Sequence, residues 1–276
     1  MSQAAVQNSA VLFFDVDGTL TFFDPDNMTD KDLGSIRPSD AVVDAFHRLR
    51  ANGHQAFICT GRPLWLISDA LRELEPAGIV AMAGATLELE GSVAYEEHID
   101  DALVRELATR VAATGGEALF ETNTVTVALE PAGVEKSFLP GTPVVHTADA
   151  LVEACAGHVG KVCINDRDLA RVAGDDDFAE RSFTVCHTGG HNRELSPLGM
   201  DKGVGVARAL DCLGRKGNAG TFGFGDSGND LGMLAAVETP VAMGNAMDEV
   251  KAAAAYVTDS IEDDGVVTAL EHFNLI

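Results

Sequence analysis

Along the chain, short continuous apolar runs alternate with apolar stripes of helical period. The first run is Val11-Leu12-Phe13-Phe14. Four apolar residues without a polar break suit a strand buried on both faces. Over residues 40–50 the period changes. Val42, Val43, Phe46 and Leu49 form one stripe, Ser39 or Asp40 can cap it, and Gly53 ends it. The pattern then predicts a strand over 55–59 and a helix opening at Pro63, with Leu64, Ile67 and Leu71 on its apolar side. The apolar run 78–83 follows. Near the C-terminus the alternation resumes: a helix over 202–213 carrying Val206 and Leu210 and stopped by Gly214, a strand over 221–225, a short helix from Asn229, and a strand over 240–243. Strands separated by helices imply α/β architecture, a doubly wound parallel sheet covered on both faces.

The middle of the chain has another rhythm. A hairpin is predicted over 86–89 and 93–95, turning at Glu90-Gly91. A helix over 101–113 and an alternating, half-exposed antiparallel strand over 124–129 come next. Then come a helix over 148–156, a strand over 161–164, a helix over 166–173 and a strand over 182–186. This reads as an α+β module inserted into the parallel domain. Gly84 and Gly189-Gly190 suit either hinges or plain turns.

Composition narrows the class. The chain has 276 residues, 46% hydrophobic and 22% charged, enough for a core and for two moderate domains. No apolar run approaches the ~20 residues of a membrane helix. Residues 1–10 lack the basic start and apolar stretch of a secretory leader, so a cytoplasmic protein is expected. Five cysteines, Cys59, Cys155, Cys163, Cys186 and Cys212, form no C-x-x-C pair, which argues against a zinc site or disulfide framework. A formal charge of −24 argues against nucleic-acid binding and serves solubility. It also means that an anionic substrate would need local positive charge to hold it.

The candidate chemistry sits at strand ends. Asp15-Val16-Asp17-Gly18-Thr19 follows the first run, Thr60-Gly61-Arg62 the second strand, and Asp226-Ser227-Gly228-Asn229-Asp230 the strand over 221–225, with Lys202 opening a helix. Ligands of open parallel sheets bind at the carboxyl ends of the strands, so these groups are expected in one crevice. Carboxylates from two strands can hold a hard divalent cation. Asp15, nearest the strand end, is the nucleophile candidate, and Asp17 the general acid and base. The Thr60 hydroxyl and Gly61 amide can hold phosphate oxygens, and Lys202 supplies counter-charge.

In the order and placement of these four segments the chain resembles the haloacid dehalogenase (HAD) superfamily. Within it the chain is similar to the Cof-type, class IIB sugar-phosphate phosphatases. Ala83-Gly84-Ala85, Met243-Gly244-Asn245-Ala246 and Asp264-Gly265-Val266 fit that group as well. The core resemblance covers residues 12–85 and 196–270. It implies a Rossmann-like core over 1–85 and 191–276 and a cap of the C2 type over 86–190. The interval between Asp17 and Thr60 has no room for a cap, whereas that between Thr60 and Lys202 does. The resemblance implies Mg2+ as cofactor and an aspartyl-phosphate on Asp15. Asp17 would be acid and base and give its backbone carbonyl to the metal. Asp226 would be a further ligand, Asp230 would support the metal shell and Lys202, and Thr60 and Lys202 would bind phosphate. Asn229 is the weaker candidate for phosphate or cap contact.

Other residues have plainer readings. Arg62 suits a structural ion pair, Asp201 a helix cap, His187 and His191 surface or hinge positions, Asp175-Asp176-Asp177 a solvated loop, and Trp65 the core. The expected function is hydrolysis of small phosphorylated metabolites by a monomer or homodimer. A phosphotransferase or phosphomutase on the same scaffold, and a phospho-accepting receiver without turnover, stay open.

Overall fold

The computed structural model describes residues 9–22, 37–133, 141–174, 177–188 and 191–276. Residues 1–8, Asp175, Asp176 and Gly189-Gly190, on which the lack of a leader, a solvated loop and a hinge or turn were read, lie outside them. In chain order the strands are β1 (Val11–Phe14), β2 (Gln55–Cys59), β3 (Gly78–Ala81), β4 (Thr86–Leu89), β5 (Ser92–Glu96), β6 (Ala118–Glu121), β7 (Thr126–Leu129), β8 (Val144–Val145), β9 (Lys161–Asn165), β10 (Phe183–His187), β11 (Asn192–Pro197), β12 (Thr221–Gly225), β13 (Thr239–Ala242) and β14 (Tyr256–Val257).

They form two sheets in two compact units. One unit takes in the described residues through Arg62, then Leu66–Ala94 and Asp201–Ile276; the other takes in Pro63–Trp65 and Tyr95–Met200. The first sheet has the order β14-β13-β12-β1-β2-β3-β4-β5. Its pairs from β14 through β3 are parallel, and β4 returns antiparallel to β3. β1 lies in the middle, with Phe14 level with Ile58 and Phe224. Successive side chains point to opposite faces. Phe14 therefore meets Phe46 of the helix Asp40–Ala51 at 5.0 Å and Phe224 at 4.5 Å, while Phe13 meets Phe57 at 5.1 Å. That helix is capped by Ser39, whose side chain accepts from the Val42 amide.

The second sheet has the order β10-β11-β9-β6-β7-β8, antiparallel except for β7 with β8. One face carries Phe120, Val127, Leu129, Val162, Ile164 and Leu195, packed in one core with Val104, Leu107 and Val111 of the helix Asp101–Ala113. The opposite face carries buried Lys161 between Glu121, at 3.0 Å, and Glu194. A buried ammonium persists only when so paired.

Several sequence expectations change. The 86–89 strand does not open the insertion. It extends the parallel sheet, because its partner is β3, so the boundary read at residue 86 moves to Tyr95. At the other end β11, in a stretch read as core, pairs with β9 and β10 in the second sheet. The helix read from Pro63 is a single 3-10 turn, Leu64–Leu66, then a short helix, Asp69–Arg72, started by Ser68. Trp65 stands on that turn 42% exposed and is not core. β7 is antiparallel to β6, but all four of its residues are buried, so it is not half-exposed.

Gly84 is a packing position, not a free hinge. Its φ is +100°, and a Cβ there would lie 2.0 Å from the Asp201 carbonyl oxygen. The chain leaving β3 thereby presses against the start of the helix Lys202–Cys212. Among the described residues no helix is long and apolar enough to cross a membrane.

Phe14→Ala should cost about 3–5 kcal/mol, because a ring between two layers is removed with little room for collapse. A lowered urea midpoint would show it; a loss under about 1 kcal/mol would contradict this packing.

Candidate active site

The first sheet carries its chemistry at the carboxyl ends of β12, β1 and β2. The Asp15 amide still donates to the Phe224 carbonyl, 2.9 Å, so its backbone is fixed by the sheet. Beyond it the chain coils tightly around the Val16 carbonyl. The amides of Leu20 and Thr21 and the Thr21 hydroxyl all donate to that oxygen. Gly18 sits there at φ +94°, and a Cβ on it would meet Asp226 Oδ2 at 2.4 Å. Only glycine lets this turn close onto the β12 loop. The Thr19 hydroxyl donates to Asp226 Oδ1 at 3.3 Å across the same gap.

Lys202 ties the strand ends together. It opens the helix Lys202–Cys212, with Asp201 as the cap whose side chain accepts from the Val204 amide. Its Nζ donates to Asp15 Oδ1 and to Asp230 Oδ1, each at 2.6 Å, and the side chain is wholly buried. The other Asp230 oxygen accepts from the amides of Asp226 and Ser227, at 2.9 and 3.0 Å. Both oxygens of Asp230 are thus engaged. It links the loop to the lysine.

Asp15, Asp226 and Asp230 bring carboxylate oxygens within 4.8 Å of one another. One ammonium faces three carboxylates in a largely dry place. Burial, then Asp230, pushes the Asp15 carboxyl well above its ordinary range, against the pull of Lys202; Asp226 and Asp17 add to the rise. Burial and Asp230 push Asp226 up to about 7. Burial works against the Lys202 ammonium, but Asp15 and Asp230 outweigh it and hold its pKa well above the usual value. The cluster is short of positive charge, and its donors are all oxygen. That fits a hard divalent cation. The Asp17 side chain is outside this trio. It lies in a bidentate pair with Arg62, 2.9 Å from Oδ2 to Nε and 2.5 Å from Oδ1 to Nη2.

Thr60 leaves β2 one residue beyond Cys59, beside the β1 end. It is buried; its amide donates to the Val80 carbonyl, and its hydroxyl accepts from the Arg62 amide at 3.1 Å. Gly61 lies between them in the same turn. Asn229 is buried in the β12 loop, where its Oδ1 accepts from the Ser227 hydroxyl at 2.9 Å. The structure therefore joins Asp15, Lys202, Asp226 and Asp230 by direct contact or near approach. Asp17, Thr60 and Gly61 belong to the adjoining strand-end turns. Burial drives the Cys59 thiol far above its ordinary range, so it is inert.

One residue took no role from the sequence. The Asn245 side chain donates to the Gly18 carbonyl at 2.8 Å and accepts from the Ile261 amide at 2.9 Å. It pins the turn after Asp17 to the segment that follows β14. The Met243-Gly244-Asn245-Ala246 segment was its signal.

The family model described as haloacid dehalogenase-like hydrolase matches residues 12–270. The chain belongs to that family. Among curated relatives of this HAD-like hydrolase, a putative phosphatase of Bacillus subtilis, YkrA, is 28% identical over 98% of this chain and 99% of its own. Among solved structures, the HAD subclass IIB sugar phosphatase BT4131 is 27% identical, with a TM-score of 0.80 over 97% of this chain and 100% of the other. The HAD phosphatase BT1666 from Bacteroides thetaiotaomicron, at 23% identity, matches with a TM-score of 0.82 over 100% and 99%, which shows the shared fold.

The Asp226 shift gives a signed test of this HAD-like cluster. A carboxyl with a folded pKa near 7 costs nothing below the unfolded value. It costs most once pH has risen past the folded one. In chelator, Asp226→Asn should therefore raise Tm over the parent at pH 8, by the equivalent of a few kcal/mol, on the order of 1.4 per pK unit. The gain should vanish near pH 4; a gain independent of pH would contradict the charge imbalance.

Proposed function

We propose that the protein is a Mg2+-dependent phosphatase of small phosphorylated metabolites, foremost sugar phosphates, working through an aspartyl-phosphate on Asp15. The observation that carries this is the Asp15 carboxylate at the β1 end, held by buried Lys202, with a second carboxylate two residues on and Asp226 alongside. The resemblance of the whole chain to a sugar phosphatase supports the substrate class.

Asp15 attacks phosphorus through a carboxylate oxygen, and the ester P–O bond breaks. Asp17 gives the leaving oxygen its proton. It then takes a proton from the water that attacks the aspartyl-phosphate, which frees Asp15 and inorganic phosphate. Lys202, the Thr60 hydroxyl and the Gly61 amide hold phosphoryl oxygens, and Asn229 is a further contact. Asp15, Asp226 and the Asp17 carbonyl would hold Mg2+, with Asp230 behind them. The ion supplies the charge that lets an anionic nucleophile and an anionic phosphate approach each other. In this reading Lys202, Arg62 and the ion overcome the repulsion of a chain with net charge −24.

We assign the role of substrate-selecting cap to the second unit, and that of catalytic core to the first. Every residue invoked comes from one chain, so a monomer suffices for the chemistry. Five free cysteines suit the reducing cytoplasm.

A panel of phosphorylated metabolites, assayed with Mg2+ and with chelator, tests the proposal. Phosphate release from sugar phosphates that stops in chelator is expected, with no turnover by Asp15→Asn and a kcat lowered by about 10²–10⁴ in Asp17→Asn. Isomerisation of sugar phosphates without phosphate release would make the protein a mutase. No reaction on any member would overturn the reading.

A further inference from the structure

Arg62 is among the most buried cations of the first unit, its side chain only 5% exposed. Two of its three nitrogens grip Asp17, one on each carboxylate oxygen. The third, Nη1, is buried and has no hydrogen-bond partner among the described residues. A pair made only for stability would not leave a buried N–H unsatisfied, because that forfeits roughly 1–3 kcal/mol. The backbone on which Arg62 rides is fixed at both ends. Its amide donates to the Thr60 hydroxyl at 3.1 Å, and its carbonyl accepts from the Met82 amide at 3.0 Å.

We propose that Arg62 is the positioning residue for Asp17. Its planar fork fixes the direction of a carboxylate that is otherwise 37% exposed and free to rotate. Each Asp17 oxygen keeps a second lone-pair site for proton exchange with the leaving oxygen and the attacking water. The Thr60-Gly61-Arg62 turn then does two jobs as one rigid piece. Thr60 and Gly61 hold the phosphoryl group, and Arg62 sets the proton donor relative to it. The Nη1 donor is left for an oxygen that arrives with the substrate. This inference rests on the acid–base reading of Asp17.

Leaving groups separate positioning from mere structure. An aryl phosphate departs without help from an acid, whereas an alkyl phosphate needs one. Arg62→Ala and Arg62→Lys, each shown folded by thermal melting, are assayed on p-nitrophenyl phosphate and on an alkyl phosphate ester of the preferred class. The breakdown of the aspartyl-phosphate is common to both esters, so the first-turnover rate of alcohol release is compared; the alanine variant should lose about 10²-fold in it on the alkyl ester and less than about tenfold on the aryl ester. Lysine keeps the charge but lacks the fork, and should show the same selectivity at reduced size. If Arg62→Ala does not fold, the lysine variant decides. Equal losses on both esters, or a change in KM alone, would overturn the proposal. Asp17→Asn measured alongside keeps the failures apart. If it is selective and the Arg62 variants are not, the positioning role falls alone. If it is not selective either, the acid–base reading falls, and this inference with it.

Discussion

A buried lysine between two carboxylates governs the catalytic end of the first unit. Lys202 Nζ lies 2.6 Å from both Asp15 and Asp230, with no exposure to solvent. Losing one partner of such a pair leaves an uncompensated buried charge, at about 3–5 kcal/mol. The β1 end, the β12 loop and the start of the helix Lys202–Cys212 are therefore not independent. Asp230 extends the link through the amides of Asp226 and Ser227, and Gly84 lets β3 close on Asp201. The charge balance stays negative, and three carboxylates so placed could hold a cation. Stability and chemistry draw on one imbalance.

Much of this was legible in the sequence. The core strands β1, β2 and β12 are short, apolar apart from Gln55 and Thr221 at the starts of β2 and β12, and followed at once by polar residues, so period and placement agree. Lys202 stood out by its place at a helix start between the second strand and the strand that ends in Asp226. Asp201 caps as expected, and Arg62 makes the ion pair read for it. What local pattern could not give was partnership between distant segments. Residues 86–89 read well as a hairpin arm, but nothing in them says that β3 is the other neighbour. β11, Asn-Arg-Glu-Leu-Ser-Pro, has too few apolar residues to announce a strand, because its polar face carries Glu194 against Lys161. Trp65 was read as core, yet the turn on which it stands buries none of its own residues.

The two units solve the problem of a buried cation alike and to different ends. In the second sheet Lys161 sits between Glu121 and Glu194, one lysine to two carboxylates. In the first, one lysine faces three carboxylates, and a fourth, Asp17, is drawn off by Arg62. That division leaves Asp15 on the lysine and Asp17 on the arginine, the separation that the proposed mechanism uses.

The central claim is that Asp15 carries the phosphoryl group. Its most direct test is a quenched reaction of Asp17→Asn with an aryl phosphate and Mg2+, read by peptide mass spectrometry. Formation needs no acid with that leaving group, while breakdown lacks its base, so a phosphoryl group should accumulate on Asp15. Phosphate release with no modified peptide, or a phosphoryl group on another residue, would contradict the account.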